Sequence, residues 1–235
     1  MQPARERTTS NAVLEAMKAD SPDGPHANWK TVDLDRGEVL FTVGDRVRYA
    51  FFPIGCVLSS LAGLTDGSTL EVSMFGPDGA AGVLGAVGSC DASTKVVVLV
   101  SGKAVRVPVR WLRAEFGRSE RVRSALLRHI ENVYYQAQQS ALCASRHSVE
   151  ARLARWLLSI QDRAHCRNVR FTHEFVAGHL GVNRTSVTLA AAELQRAGII
   201  TYRRGVLSII DRDALEKTSC ECYGAIRDRM RRLLR

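Results

Sequence analysis

Four side chains in one short stretch are suited to reading the edges of nucleic-acid bases: Arg184, Thr185, Thr188 and Leu189. Arginine bonds two acceptors of a guanine at once, threonine hydroxyls serve as donor or acceptor, and an aliphatic group touches a thymine methyl. Asn183, Arg203 and Arg204 suit phosphate oxygens. With Thr172 and Ser186 these residues make up the expected DNA-binding set. Other chemistries are served less well. Cys220-Glu221-Cys222 offers two thiol ligands where zinc takes four, with no further Cys or His beside it in sequence. Both cysteines therefore read as buried structural thiols, and no metal or cofactor is expected. His129, His147, His165, His173 and His179 lack the spacing of a metal clamp, and Trp29–Pro108 holds no histidine for a cupin-like metal centre. No acid pair, nucleophile triad or phosphate-binding loop occurs, so no catalytic residue is assigned and an enzyme is not expected.

The reading residues need a frame, and the surrounding sequence supplies one. Thr172 is placed to cap a helix, with Glu174 in its first turn, where the helix dipole favours a carboxylate. Gly181 can end that helix in a left-handed conformation. Asn183 caps a second helix through Ala197, uninterrupted by Gly or Pro. At 100° per residue, Val187, Ala190, Ala191 and Leu194 fall on a face to be buried, while Thr185, Leu189, Ala192 and Arg196 lie opposite. Ile199–Asp211 then reads as strand, Arg-Gly turn and strand, a hairpin that would carry Arg203 and Arg204 to phosphates.

A hairpin directly after such a helix makes a winged helix–turn–helix. On LGVNRTSVT (Leu180–Thr188), LQRAGIITYRRGVLSIIDRDALE (Leu194–Glu216) and CECY (Cys220–Tyr223), the chain resembles the bacterial CRP/FNR-type transcription regulators. The resemblance implies an α+β fold: an N-terminal antiparallel β-roll like that of cyclic-nucleotide-binding domains, a long dimerisation helix, and a C-terminal winged helix–turn–helix. It implies a homodimer on a roughly palindromic operator, with double-stranded DNA and RNA polymerase as partners.

The charge supports a polyanion partner. Of a net +9, residues 1–145 carry only +1 (16 Lys and Arg against 15 Asp and Glu), whereas residues 146–235 carry +8 (17 against 9). The N-terminus has no apolar core of a secretory signal, and the longest strongly apolar run, Val96–Val100, is too short to span a bilayer. Scattered cysteines do not suggest a disulfide framework. A cytoplasmic protein without a membrane partner is expected.

Along the chain, Asn11–Ala19 is a short amphipathic helix broken by Asp20–Asn28. Seven short strands are predicted between Trp29 and Pro108: TVDLD, EVLFTV, VRYAFFP, CVLSSLAG, STLEVSMFG, KVVVLVSG and KAVRVP. GEVLFTVGD, YAFFP and EVSMFGPDGAAG sit where the CRP/FNR β-roll would place them. Trp111–Phe116 leads into Arg118–Ser145, a helix without Gly or Pro. In it Leu126, Ile130, Val133, Ala137, Ser140 and Ala144 form a heptad seam, the expected dimer interface, and Leu127, Tyr134 and Ala141 a second stripe, suited to the β-domain. Val149, Leu153, Trp156, Leu157 and Ile160 form the apolar face of a following helix. In the tail, Tyr223, Ile226, Met230 and Leu233 share a face, with five arginines around it. The expected domains are residues 1–117 (β-roll), 118–146 (dimerisation helix and hinge) and 147–235 (winged helix–turn–helix).

The resemblance places an effector pocket near Gly79, Gly82, Val83, Leu84 and Ser93. Its cyclic-nucleotide form uses an acidic residue after the glycine and an arginine before the serine, where this chain has Val83 and Ala92. Cyclic-AMP dependence is therefore not expected. An iron–sulfur relative would carry cysteines near the N-terminus, whereas none precedes Cys56, and nothing marks an axial haem ligand. The alternative readings are a redox- or stress-sensing regulator of the same architecture using its cysteines and, behind it, a catalytic β-domain tethered to a DNA-binding module.

Overall fold

The computed structural model describes residues 10–18, 29–166 and 168–233. The expected breaker Asp20–Asn28 and the last residue of the first helix, Ala19, lie outside the described residues. Helix α1 spans Ala12–Lys18. Asn11 starts it: its Oδ1 accepts from the amides of Val13 and Leu14, while its Nδ2 donates to the carbonyls of Pro53 and Gly79. A buried amide so fully bonded ties the helix to the β-domain.

Seven strands follow: β1 (Lys30–Leu34), β2 (Val39–Phe41), β3 (Tyr49–Pro53), β4 (Val57–Gly63), β5 (Thr69–Phe75), β6 (Lys95–Val100) and β7 (Gly102–Pro108), with a one-turn helix α2 (Leu84–Val87) after β5. They form two antiparallel sheets, ordered β1-β7-β3 and β2-β6-β4-β5. Phe52, Leu58, Val98, Ala104 and Val107 fill the space between them. Helix α3 (Val109–Arg118) and the first half of α4 (Glu120–Arg146) close that core through Leu112 and Leu126.

The β4 strand departs from simple alternation. Val57, Leu58, Ser59, Ser60 and Leu61 are all buried in succession. A strand buried at consecutive positions is covered on both faces. Its second cover is α5 (Val149–Ala164) with α6 (His173–Leu180): Val57, Met74 and Leu99 share a core with Trp156, Leu157 and Leu180.

Helix α4 is 27 residues long, about 40 Å at 1.5 Å per residue. Its buried face is Val122, Ala125, Leu126, His129, Asn132, Gln136, Ser140 and Cys143. This corrects the seam expected above. Leu126 and Ser140 are buried inside the chain, against the β-domain and the C-terminal helices, and do not face outward. Leu127 and Tyr134, expected on the β-domain, are 50% and 64% exposed, and Ala141 is exposed with them. Ile130, Val133, Ala137 and Ala144 are half-buried between the two faces. Heptad periodicity found both stripes, but Leu126 and Ser140 of the first are covered within the chain, and the second is not packed on the β-domain.

His129 sits at the heart of α4's buried face. Its Nε2 lies 2.8 Å from the Ala80 carbonyl, so that nitrogen carries the proton and donates. Burial pushes its pKa down to about 4, against the smaller opposing effects of the Ala80 hydrogen bond and the Asp78 charge. The unfolded chain binds a proton that the folded chain refuses, so this group's contribution is complete above about pH 6.5 and disappears as pH falls toward 4. Urea unfolding from pH 7 to 4 should lose of order 3 kcal/mol from this source, and His129→Gln should flatten that part of the profile. An unchanged slope in the variant would assign the acid sensitivity to other groups.

Candidate nucleic-acid interface

After α5 the chain forms β8 (Asn168–Arg170), α6, α7 (Arg184–Arg196), β9 (Ile200–Arg203), β10 (Val206–Ile209), α8 (Arg212–Thr218) and α9 (Cys222–Leu233). The caps stand where the sequence placed them. Thr172 Oγ1 accepts from the Phe175 amide at 3.1 Å and Asn183 Oδ1 from the Ser186 amide at 2.7 Å. Gly181 closes α6 with φ +61°, a conformation that glycine adopts without strain. The wing turns on Arg204 and Gly205, both at positive φ (+49° and +76°), as a two-residue hairpin turn requires. Strand β8, absent from the sequence reading, completes a sheet of order β8-β10-β9.

On α7, Val187, Ala190, Ala191 and Leu194 are buried, while Arg184, Thr185, Thr188, Leu189 and Ala192 are exposed. Leu189 is 64% exposed, on the same outer face as Thr185 and Ala192. Arg203 and Arg204 stand exposed on the wing, and Arg170 on the neighbouring β8. Thr172, Asn183 and Ser186 are spent largely on capping: two accept and one supplies the amide, so their role is to set the angle of the two helices. Arg196 forms an ion pair with Glu193 and is less available to phosphate.

Three residues that sequence reasoning missed hold this face in shape. His173 stacks on Tyr202 of β9, with ring centroids 4.6 Å apart, and its Nδ1 lies 2.8 Å from Thr188 Oγ1. Thr188 in turn donates to the Arg184 carbonyl at 3.0 Å. One hydroxyl proton serves only one acceptor, so His173 Nδ1–H donates to Thr188 and Thr188 donates to Arg184. Burial, then the Arg184 charge, lowers the His173 pKa and so favours the neutral ring. Thr188 is exposed, with its one hydroxyl proton already committed. Gln195 Oε1 accepts from the Tyr202 amide at 3.1 Å, joining the end of α7 to the wing. The sequence signal for these three is only their proximity to the motif.

The expected effector residues differ in their surroundings. Gly79 and Gly82 are packing glycines: a methyl group on Gly79 would lie 3.2 Å from Phe75, and one on Gly82 2.8 Å from the Tyr49 carbonyl. Two backbone amides of this segment are engaged, Gly79 with the Gly76 carbonyl and Ala81 with that of Phe51. Val83 is buried, whereas Leu84 and Ser93 are exposed. A cleft of about 750 Å3 opens elsewhere, between α1, α4 and α9, lined by Glu15, Asp78, Arg128, Asn132 and Met230 among others.

Nor are Cys220 and Cys222 without partners. Both are buried, and the end of α4 brings Cys143 and His147 against them, all four ligand atoms lying within 4.8 Å of one another. Cys143-x-x-x-His147 is an i, i+4 pair visible in the sequence, but more than seventy residues separate it from Cys220.

This combination defines a winged helix–turn–helix DNA-binding module mounted on an antiparallel β-roll. Residues 151–218 match the Crp-like helix-turn-helix domain. Solved structures agree over most of the chain. A CRP/FNR-family transcriptional regulator from Thermus thermophilus superposes with a TM-score of 0.66 at 18% identity, covering 81% of this chain and 98% of its own. A CRP-family regulator from the same organism gives 0.65 at 22% identity, covering 80% and 96%. FixK2 from Bradyrhizobium japonicum gives 0.64 at 15%, covering 82% and 98%. No curated protein matches the chain. The chain carries a Crp-like helix–turn–helix and has the fold of the CRP/FNR-type transcription regulators. No helix among the described residues is long and apolar enough to cross a membrane.

Proposed function

We propose that this chain is a sequence-specific DNA-binding transcription regulator that acts as a homodimer on a roughly palindromic operator, with RNA polymerase as a further partner. The observation that carries this reading is the outward face of α7, where Arg184, Thr185, Thr188 and Leu189 stand exposed together beside an arginine-bearing wing. Arg184 and Leu189 read bases, Thr185 and Thr188 add hydroxyl and methyl contacts, and Arg203 and Arg204 hold phosphates. With operator DNA selected from random sequence, Arg184→Ala should cost about 1–3 kcal/mol and relax one base position. Arg203→Ala should weaken all sequences about equally and reduce the salt slope by about one. Equal affinity for random and selected DNA would refute the regulator reading.

The dimer contact is assigned to the exposed stripe Leu127, Tyr134 and Ala141, flanked by Ile130, Ala137 and Ala144. These positions alternate three- and four-residue steps, the spacing of a two-helix seam. The resulting pair should present recognition helices to major grooves about 34–36 Å apart. Tyr134→Asp is a clean test because Tyr134 is 64% exposed within the chain, so the protomer should fold normally. Sedimentation should show monomers with at least tenfold weaker operator binding. A variant that remains a dimer would move the interface elsewhere.

Cyclic AMP is not the effector on this reading. Ala92 is buried and offers neither charge nor donor, and a buried cyclic phosphate without a cation is costly. Calorimetry with cyclic AMP and cyclic GMP should show no binding at micromolar concentrations, and operator affinity should not change. Micromolar binding of either nucleotide would overturn this assignment.

A further inference from the structure

We propose that Cys143, His147, Cys220 and Cys222 bind one zinc ion as a Cys3His site that fastens the end of α4 to the start of α9. The proposal rests on this cluster and not on the DNA-binding reading. Cys143 Sγ lies 3.5 Å from Cys220 Sγ, and Cys222 Sγ lies 3.5 Å from His147 Nδ1. A tetrahedral zinc, with Zn–S of about 2.3 Å and Zn–N of about 2.0–2.1 Å, sets its donor atoms about 3.5–3.8 Å apart. The group is therefore close to the size of a zinc tetrahedron, with all four donors mutually within 4.8 Å. Three thiolates and an imidazole are also the donor set that zinc favours in closed, structural sites.

The surroundings support the same assignment. His147 turns Nδ1 toward the thiols and Nε2 toward Glu221, at 3.2 Å. A metal-bound histidine characteristically gives its other N–H to a carboxylate, which fixes the tautomer. Gln139 Nε2 donates to Cys222 Sγ at 3.0 Å, as an amide does to a metal-bound thiolate. Zinc with three thiolates and a neutral histidine carries one net negative charge. Arg155, only 8% exposed, has no hydrogen-bond partner on its buried Nε, and among the described residues no ion pair engages it or the buried Arg152. A buried unpaired guanidinium is costly, and an anionic metal centre beside it offsets that cost.

The ion would bridge two segments on either side of Ser148, the cap between α4 and α5. It would thereby fix the direction in which the DNA-binding module leaves the long helix.

The full-length protein, purified under reducing conditions without chelator, should contain about one zinc per chain by plasma mass spectrometry, as a closed four-ligand site requires. Apoprotein refilled with Co2+ should show intense visible bands of tetrahedral cobalt with thiolate charge transfer. Cys222→Ser and His147→Gln should each lose most of the metal, while Cys56→Ser and Cys166→Ser keep it. A ligand variant can lose metal by unfolding, so the apoprotein made by chelation supplies a control without substitution. Adding zinc should raise its unfolding midpoint. Zinc retained at full stoichiometry in both ligand variants would overturn the site, as would wild-type apoprotein that takes up neither zinc nor cobalt. Iron with sulfide in anaerobically purified protein, or a metal-free chain with a Cys143–Cys220 disulfide, would equally refute it.

Discussion

The arrangement depends on a sheet buried on both sides. One face of β4, β5 and β6 meets the β-roll core, and the other meets α5 and α6. Glu71 lies in that second contact, 5% exposed, with Oε2 accepting from Ser59 Oγ at 2.6 Å and from Trp156 Nε1 at 3.2 Å. A carboxylate taken out of water costs several kcal/mol unless donors replace its hydration. Trp156 supplies one donor and, fully buried, much of the apolar area of the joint. Truncating it would open a cavity and remove a hydrogen bond from a buried acid together, two costs that compound.

Around this contact the two parts are joined at several further points. Thr69 Oγ1 donates to the Gly178 carbonyl at 2.6 Å, and Arg36 reaches the Arg170 carbonyl. Arg163 pairs with Asp78 and packs so closely over Gly76 that a methyl group there would lie 2.6 Å from its Cβ. Two tail arginines with no assigned task in the sequence reading serve the same packing. Arg227 pairs with Glu216 and covers the Tyr223 ring, while Arg229 pairs with Glu131 and covers Tyr135 on α4. The Arg229 contacts join α9 to α4, the two elements whose ends carry Cys222 and Cys143.

Legibility in the sequence followed the range of the interactions. Thr172, Gly181, Asn183 and the Arg204-Gly205 turn were readable because caps and turns are settled within three or four residues. The seven strands were readable from turn chemistry, although β8, only three residues long, was not. Helix α4 was readable as a helix, but its faces were not. Leu126 and Leu127 are adjacent and equally apolar, and only the packing of α9 and the β-domain decides which is covered. The thiol cluster was hidden for a related reason: its two halves each hold two ligands, and nothing local to Cys220 reports that Cys143 and His147 will arrive. His173 was hidden as well, because its value lies in a stack with a strand on the far side of α7.

The outer face of α7 stays free in this arrangement. Helices α5 and α6 meet the sheet, but Arg184, Thr185, Thr188 and Leu189 on α7 point away from it and are exposed. The His173–Thr188 hydrogen bond, with the Thr188 bond to the Arg184 carbonyl, fixes one of these side chains, Thr188, so that its rotamer entropy is already spent. Docking on the β-roll therefore leaves the outer face of α7 uncovered in one chain. In a dimer built on the outer stripe of α4, control would instead act on the angle between two preformed surfaces. That angle would be set near Ser148, between a helix that such a dimer would hold and a module packed on the sheet through Glu71 and Trp156.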